Sequence, residues 1–156
     1  MRILGIDPGS TLLGFGILES ERGELKVLEY GVLEIQSREL PDKLLELSQG
    51  LRALLSRYQL DCAGLEKLFF AKNKKTALEV AHARGVILLE LLRARIPVIE
   101  LTPAEVKTAV TSYGASDKLM VKKMVGKILN IEKLEADDNA WDGLAIAIAA
   151  ERIKRY

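Results

Sequence analysis

The 156-residue chain is 49% hydrophobic and 29% charged, the make-up of one globular domain able to bury its own core, which excludes disordered, collagenous and coiled-coil classes. Its 23 Lys and Arg against 22 Asp and Glu leave a formal charge of +1, so attraction to a polyanion must come from local clustering. A single cysteine, Cys62, excludes an internal disulfide framework and a Cys-based zinc site, and no segment approaches ~18 uninterrupted apolar residues; with no charged-then-apolar leader at the start, a cytoplasmic protein with no membrane partner is expected.

The first apolar stretch, Arg2 to Ile6, runs into Asp7-Pro8-Gly9-Ser10, a strand followed by a tight turn in which Pro8 fixes φ. Apolar runs from Leu13 to Leu18 and from Leu25 to Ile35 follow across the polar Glu19 to Gly23, which predicts an antiparallel three-strand meander. Leu44, Leu45, Leu47, Leu51, Leu54 and Leu55 recur at helical spacing between Leu40 and Tyr58, with Pro41 in the first turn. Cys62 to Leu65 reads as a short buried strand ending at Glu66. Lys74 to Arg95 reads as a long helix with Val80, Val86, Ile87, Leu88 and Leu91 on its apolar side, and Pro97 to Leu101 as a strand. Helices near Pro103 to Ser112, Asp117 to Leu129 and Asp138 to Arg152 complete the order. The pattern β-β-β-α-β-α-β-α-α-α predicts one domain over residues 1–156, of α/β class, with a mixed sheet and helices on its faces.

The charges are strongly patterned. Lys67, Lys72, Lys74 and Lys75 fall together beside Phe69 and Phe70 with no acid among them. Between Pro103 and Asn130 stand five lysines, Lys107, Lys118, Lys122, Lys123 and Lys127, against two acids, Glu105 and Asp117. Ile131 to Asp142 reverses the sign, with Glu132, Glu135, Asp137, Asp138 and Asp142 against Lys133. Lysine runs alone suit a solvated helix face. Basic loops with an aromatic pair beside a concentrated acidic site are what a metal-dependent enzyme acting on a polyanion needs.

Asp7 ends the first strand, Glu66 the fourth, and Asp138, Asn139 and Asp142 open the last helix. If the first and fourth strands are neighbours, their C-terminal ends bring two carboxylates together at the sheet edge where α/β folds bind ligands. At ~100° per residue, Asn139 lies about 60° and Asp138 about 40° from Asp142, so either pair can face one point. Each acid has a structural alternative: Asp7 as a turn cap, Glu66 as a lysine partner, Asp137 or Asp138 as the N-cap of the last helix. For Asp137 the cap reading is preferred. For Asp7, Glu66 and Asp142 together the metal reading is preferred, because stability does not ask for acids at two strand ends and a helix start. Clustered carboxylates raise one another's pKa unless a divalent ion compensates them, and an all-oxygen set suits Mg²⁺ or Mn²⁺. His82, Cys62 and Trp141 read as structural residues.

The segments Leu4 to Ser10, Leu65 to Asn73, Ala83-Arg84-Gly85-Val86, Val106-Lys107 with Lys118, and Ala140 to Ala147, taken in order, resemble the RuvC family of Holliday-junction resolvases over essentially the whole chain. The resemblance implies a ribonuclease-H-like five-stranded mixed sheet flanked by helices. It also implies a homodimer, partners among junction-recognition and branch-migration proteins, and Mg²⁺-dependent paired nicking of four-way DNA in recombination and repair. Asp7, Glu66, Asn139 and Asp142 would then be the metal ligands, for two ions per site. Lys107 and Lys118 would hold the phosphate backbone beside them at the cut, Phe69 would contact unstacked bases, and Lys72, Lys74, Lys75 and Lys122 would extend the DNA surface.

One position departs from the family pattern, which has an Asp or His three residues before the last catalytic Asp where this chain has Asn139. An amide oxygen can touch a metal but brings no charge, so one ion should be bound less well unless Asp138 substitutes. Two other readings are therefore carried: a junction-binding protein with impaired or no cleavage, and an actin-like or sugar-kinase ATPase domain, whose phosphate loop also begins Gly-Ile-Asp-x-Gly-Ser/Thr. Length weighs against the ATPase, since those proteins place nucleotide between two such domains.

Overall fold

The computed structural model describes residues 1–67, 74–131 and 137–154, with residues 74–76 described by backbone alone. In chain order the elements are β1 (Arg2–Asp7), β2 (Leu12–Glu21), β3 (Glu24–Glu34), α1 (Leu40–Leu55), β4 (Cys62–Glu66), α2 (Lys74–Arg93), β5 (Val98–Leu101), α3 (Pro103–Thr111), α4 (Lys118–Ile128) and α5 (Asp138–Lys154). The β2–β3 hairpin is longer than the hydrophobic runs predict. Its polar separator is mostly strand, closed by a two-residue turn at Arg22 and Gly23, both at positive φ, as a tight hairpin requires.

The strands form one sheet in the order β3-β2-β1-β4-β5. β1 pairs antiparallel with β2 and parallel with β4, and β4 pairs parallel with β5. Because Ile6 stands opposite Leu65, the next residues, Asp7 and Glu66, emerge side by side at the C-terminal ends of neighbouring strands. That edge is where this topology leaves room for a ligand.

Both sheet faces are covered. On one, α5 packs with Val106, Val110, Val121 and Val125 of α3 and α4; on the other, Leu47, Leu51 and Leu54 of α1 meet Ala83, Ile87 and Leu91 of α2. Two helices begin on capping acids: Thr102 and Glu105 form a reciprocal capping box on α3, and Asp117 accepts from the Met120 N–H on α4. The only two acids of the basic Pro103 to Asn130 segment are therefore used on helix ends.

α5 lies directly on the sheet. A Cβ at Gly143 would stand 2.6 Å from the Phe15 Cα, and one at Gly5 would strike the Gly143 carbonyl. Backbone meets backbone because neither residue carries a side chain. One assignment of the periodicity is corrected. Leu45 is 58% exposed, since it lies on the solvent side of its helix axis, and His82, read as structural, is exposed on α2.

Candidate active site

A pocket of about 260 Å³ opens at the C-terminal edge of β1 and β4, lined by Asp7, Glu66 and Asp142 with Lys107 and Lys118. Pro103, Val106, Val121, Ala145 and Ile146 form its apolar wall. Asp142 reaches it from the second turn of α5, whose height over β1 is set by the glycine contacts just described. Lys107 comes from α3 and Lys118 from the first turn of α4. Five residues separated by up to 135 positions in sequence thus meet in one cavity.

The electrostatics are those of crowded acids. Burial, then the Asp142 charge, pushes Asp7 up to about 6 against the opposing pull of Lys118. Burial, then Asp7 and Asp142, pushes Glu66 up to about 7 against Lys107. Among the described residues neither Asp7 nor Glu66 enters an ion pair, so the lysine-pair alternative does not absorb Glu66 there. Asp142 differs, because Lys118 Nζ donates to its Oδ2 at 2.9 Å. As the side chains stand, among the described residues no three His, Cys, Asp or Glu groups close on one ion position; Lys118 balances charge where an ion would.

Asn139 is placed differently from Asp142. Its amide Nδ2 donates to Asp137 Oδ1 at 2.5 Å, and the same oxygen accepts from the Asn139 backbone N–H at 2.8 Å. Asp137 is therefore the cap of α5, and Asn139 is not among the residues lining the pocket. Asp138 also points elsewhere, paired with Lys122 and, at 3.6 Å, with Lys118. Lys122 stands at a second hollow of about 570 Å³ that runs along α4 between Lys123, Lys127 and Trp141. Among the described residues no carboxylate lines that larger hollow, whereas three line the smaller one. Phe69 and Lys72 lie outside the described residues, as do the side chains of Lys74 and Lys75.

A residue with no assigned role in the sequence reading also touches the site. Arg84 Nε, on α2, donates to the Glu66 carbonyl at 3.2 Å, and its guanidinium pairs with Glu100 of β5. The available signal was its position in the Ala83-Arg84-Gly85-Val86 segment.

Comparison with known proteins bears on the chain as a whole. A family model described as crossover junction endodeoxyribonuclease RuvC matches residues 3–150. A crossover junction endodeoxyribonuclease RuvC from Syntrophomonas wolfei is 44% identical over 149 residues, 95% of this chain and 87% of the relative. Its namesake from Chloroflexus aggregans is 46% identical over 149 residues, covering 95% and 91%. Among solved structures, that of T. thermophilus RuvC in complex with a Holliday junction substrate superposes with a TM-score of 0.89 at 27% identity, covering 99% of this chain and 96% of that one.

Proposed function

The chain belongs to the RuvC family of crossover junction endodeoxyribonucleases, and from that premise we propose that it binds four-way DNA junctions and resolves them by paired, divalent-metal-dependent nicks. The observation that carries this reading is the meeting of Asp7, Glu66 and Asp142 in one pocket edged by Lys107 and Lys118. Three acids crowded enough to raise two of their pKa values hold negative charge that a cation would relieve. Their donor atoms are all oxygen, which suits Mg²⁺ and also Mn²⁺.

Asp7, Glu66 and Asp142 would hold the metal, which when bound supplies charge against the phosphate and an activated water. The lysines do a separate job. Lys107 and Lys118 set positive charge at the pocket rim, where a phosphate backbone would pass, and Lys122 continues that charge along α4. Lys118, now paired with Asp142 at 2.9 Å, would be free to meet a phosphate wherever Asp142 served instead as a metal ligand. Asn139, held by Asp137, leaves the site with three carboxylates, so the pocket as built favours one well-held ion over two.

A homodimer completes the reading, because paired cuts need two sites. Its support is on α2, where Leu78, Leu89 and Leu92 are 61%, 46% and 66% exposed. With His82 and Gly85 they fall at spacings of 4, 3, 4 and 3 residues, the seam of two helices packed along each other. Among the described residues no helix is long and apolar enough to cross a membrane, and a cytoplasmic place beside the junction-recognition and branch-migration proteins fits the substrate.

The test is incubation with a mobile four-way junction and, in parallel, a linear duplex, with and without Mg²⁺, followed by a denaturing gel. Junction-specific, metal-dependent nicks are expected. Tight junction binding with no nick would favour the binding-only reading, for which the amide at Asn139 is the specific observation.

A further inference from the structure

The ladder that holds β4 against β1 ends at Ile6 and Leu65, one residue short of Glu66. In a parallel ladder alternate residues of one strand exchange bonds with the other. Carried one step further, the donor facing the Glu66 carbonyl is residue 8. That residue is Pro8, which has no N–H. A main-chain carbonyl beside a half-buried pocket must find another partner.

Arg84 is that partner. Its Nε donates to the Glu66 carbonyl at 3.2 Å, while the other arm of the guanidinium pairs with Glu100. The Arg84 side chain is only 16% exposed and Glu100 46%, so the fork is held inside and its anchor faces solvent. On the other side of the same peptide, the Lys67 N–H donates to the Leu101 carbonyl at 2.7 Å. The last residue of β4 is thereby fixed by the β5 ladder and by α2.

We propose that Arg84 is a positioning residue for Glu66: by bonding the carbonyl that Pro8 leaves unmatched, and by anchoring on Glu100, it holds the end of β4 so that the Glu66 carboxylate enters the pocket beside Asp7. A planar guanidinium reaches a carbonyl and a carboxylate at once, whereas a lysine offers one compact charge to one of them. The contact itself stands on the fold, and its consequence for a metal rests on the nuclease reading above.

The experiment uses the full chain carrying Arg84→Ala, Arg84→Lys or Glu100→Gln. Hydrogen–deuterium exchange compares Gly64 to Lys67 with the distant Leu47 to Leu55 of α1. Calorimetry follows Mn²⁺ binding without DNA, and nicking of a four-way junction is measured against Mg²⁺ concentration. For Arg84→Ala, exchange at Gly64 to Lys67 is expected to quicken about tenfold while α1 is unchanged. The half-saturating Mn²⁺ should rise about tenfold, as for loss of a group that orients a metal ligand. Arg84→Lys should recover part of both effects. Glu100→Gln, altered only at an exposed side chain, should move both in the same direction by less, and it decides the matter if Arg84→Ala fails to fold.

Wild-type exchange and metal affinity in the variants would overturn the proposal. So would exchange that quickens equally in α1, since that marks general loosening. Absence of nicking by the unaltered protein, with the exchange and Mn²⁺ effects present, would overturn the nuclease reading and leave Arg84 as the support of Glu66.

Discussion

Lys118 Nζ on α4 lies 2.9 Å from Asp142 Oδ2 and 3.6 Å from Asp138 Oδ2 on α5, so one ammonium spans two acids at the start of the last helix. The pair is partly exposed, and its hydrogen bond raises the Lys118 pKa. On the proposed nuclease reading, a cation in the pocket would compete with that ammonium for Asp142, which would tie metal loading to the availability of Lys118 for DNA.

Lys118→Ala should therefore have opposite effects on the two ligands. Metal should bind at lower concentration in the absence of DNA, because the competitor is gone. Junction affinity should fall, and the slope of log affinity against log salt should flatten by about 0.9 for one lost phosphate contact. Anisotropy of a labelled junction at several salt concentrations measures this, and an unchanged slope would remove Lys118 from the phosphate contacts.

Asp7→Asn should abolish nicking while metal-free junction binding stays intact or tightens, because a bound phosphate no longer faces that charge. The same substitution tests the electrostatics. Asp7 and Glu66 hold their protons to about 6 and about 7 in the fold, above their ordinary 3.8 and 4.5. The folded state thus binds more protons than the unfolded chain in that window, and metal-free stability should fall as pH rises from about 4 through about 7 and then level off. Removing Asp7 should raise metal-free stability at pH 8 by on the order of 2 kcal/mol and change it little at pH 4. Thermal melts at both pH values, with chelator and then with Mg²⁺, show whether the metal removes the same penalty.

Asn139→Asp places a carboxylate where an amide now donates to Asp137 at 2.5 Å. Repulsion from Asp137 should free the new side chain toward the pocket, lowering the half-saturating Mg²⁺ and raising the nicking rate about tenfold or more, with little change in metal-free junction affinity. Asp138→Ala is the control and should alter the rate only a few-fold, because Asp138 is engaged by Lys122 and Lys118. If Asp138→Ala abolishes nicking and Asn139→Asp is silent, the fourth ligand is Asp138.

Leu89→Glu puts a charge in the exposed α2 stripe without touching the core. The monomer's melting temperature should hardly move. Light scattering on a sizing column should show the dimer weakened at least about tenfold, since a lone carboxylate would be buried at the seam. A dimer that survives Leu89→Glu and Leu92→Glu uses another face.

Much of this was legible in the sequence because it is periodic or local. Acids at strand ends, Pro41 and Pro103 at helix starts, and the small residues after Asp142 each signal their place by type and neighbours. The cap role of Asp137 was readable for the same reason. Contacts between distant segments were not. Lys118 and Asp142 are 24 positions apart, and Arg84 meets the Glu66 carbonyl through a main-chain atom that no side-chain pattern reveals. The exposed position of His82 was not readable, because a helix with apolar residues on both sides does not show from spacing alone which side meets the sheet. The amide of Asn139 could have been aimed at either neighbour, and only the turn of the backbone at Asp137 decides it.

The bare contact between Gly143 and Phe15 also governs how the pocket can adapt. A helix seated on side chains has a compliant layer beneath it and can ride up or settle by rotamer changes. α5 has none at this point, so the distance from Asp142 to the sheet is a fixed gauge. If Asp7, Glu66 and Asp142 hold the metal as proposed, ions of different radius would have to be accommodated by rotation of those carboxylates alone. Gly143→Ala would lift the helix and open that gauge at once, and the loss should appear as altered preference between Mg²⁺ and the larger Mn²⁺ before it appears as unfolding.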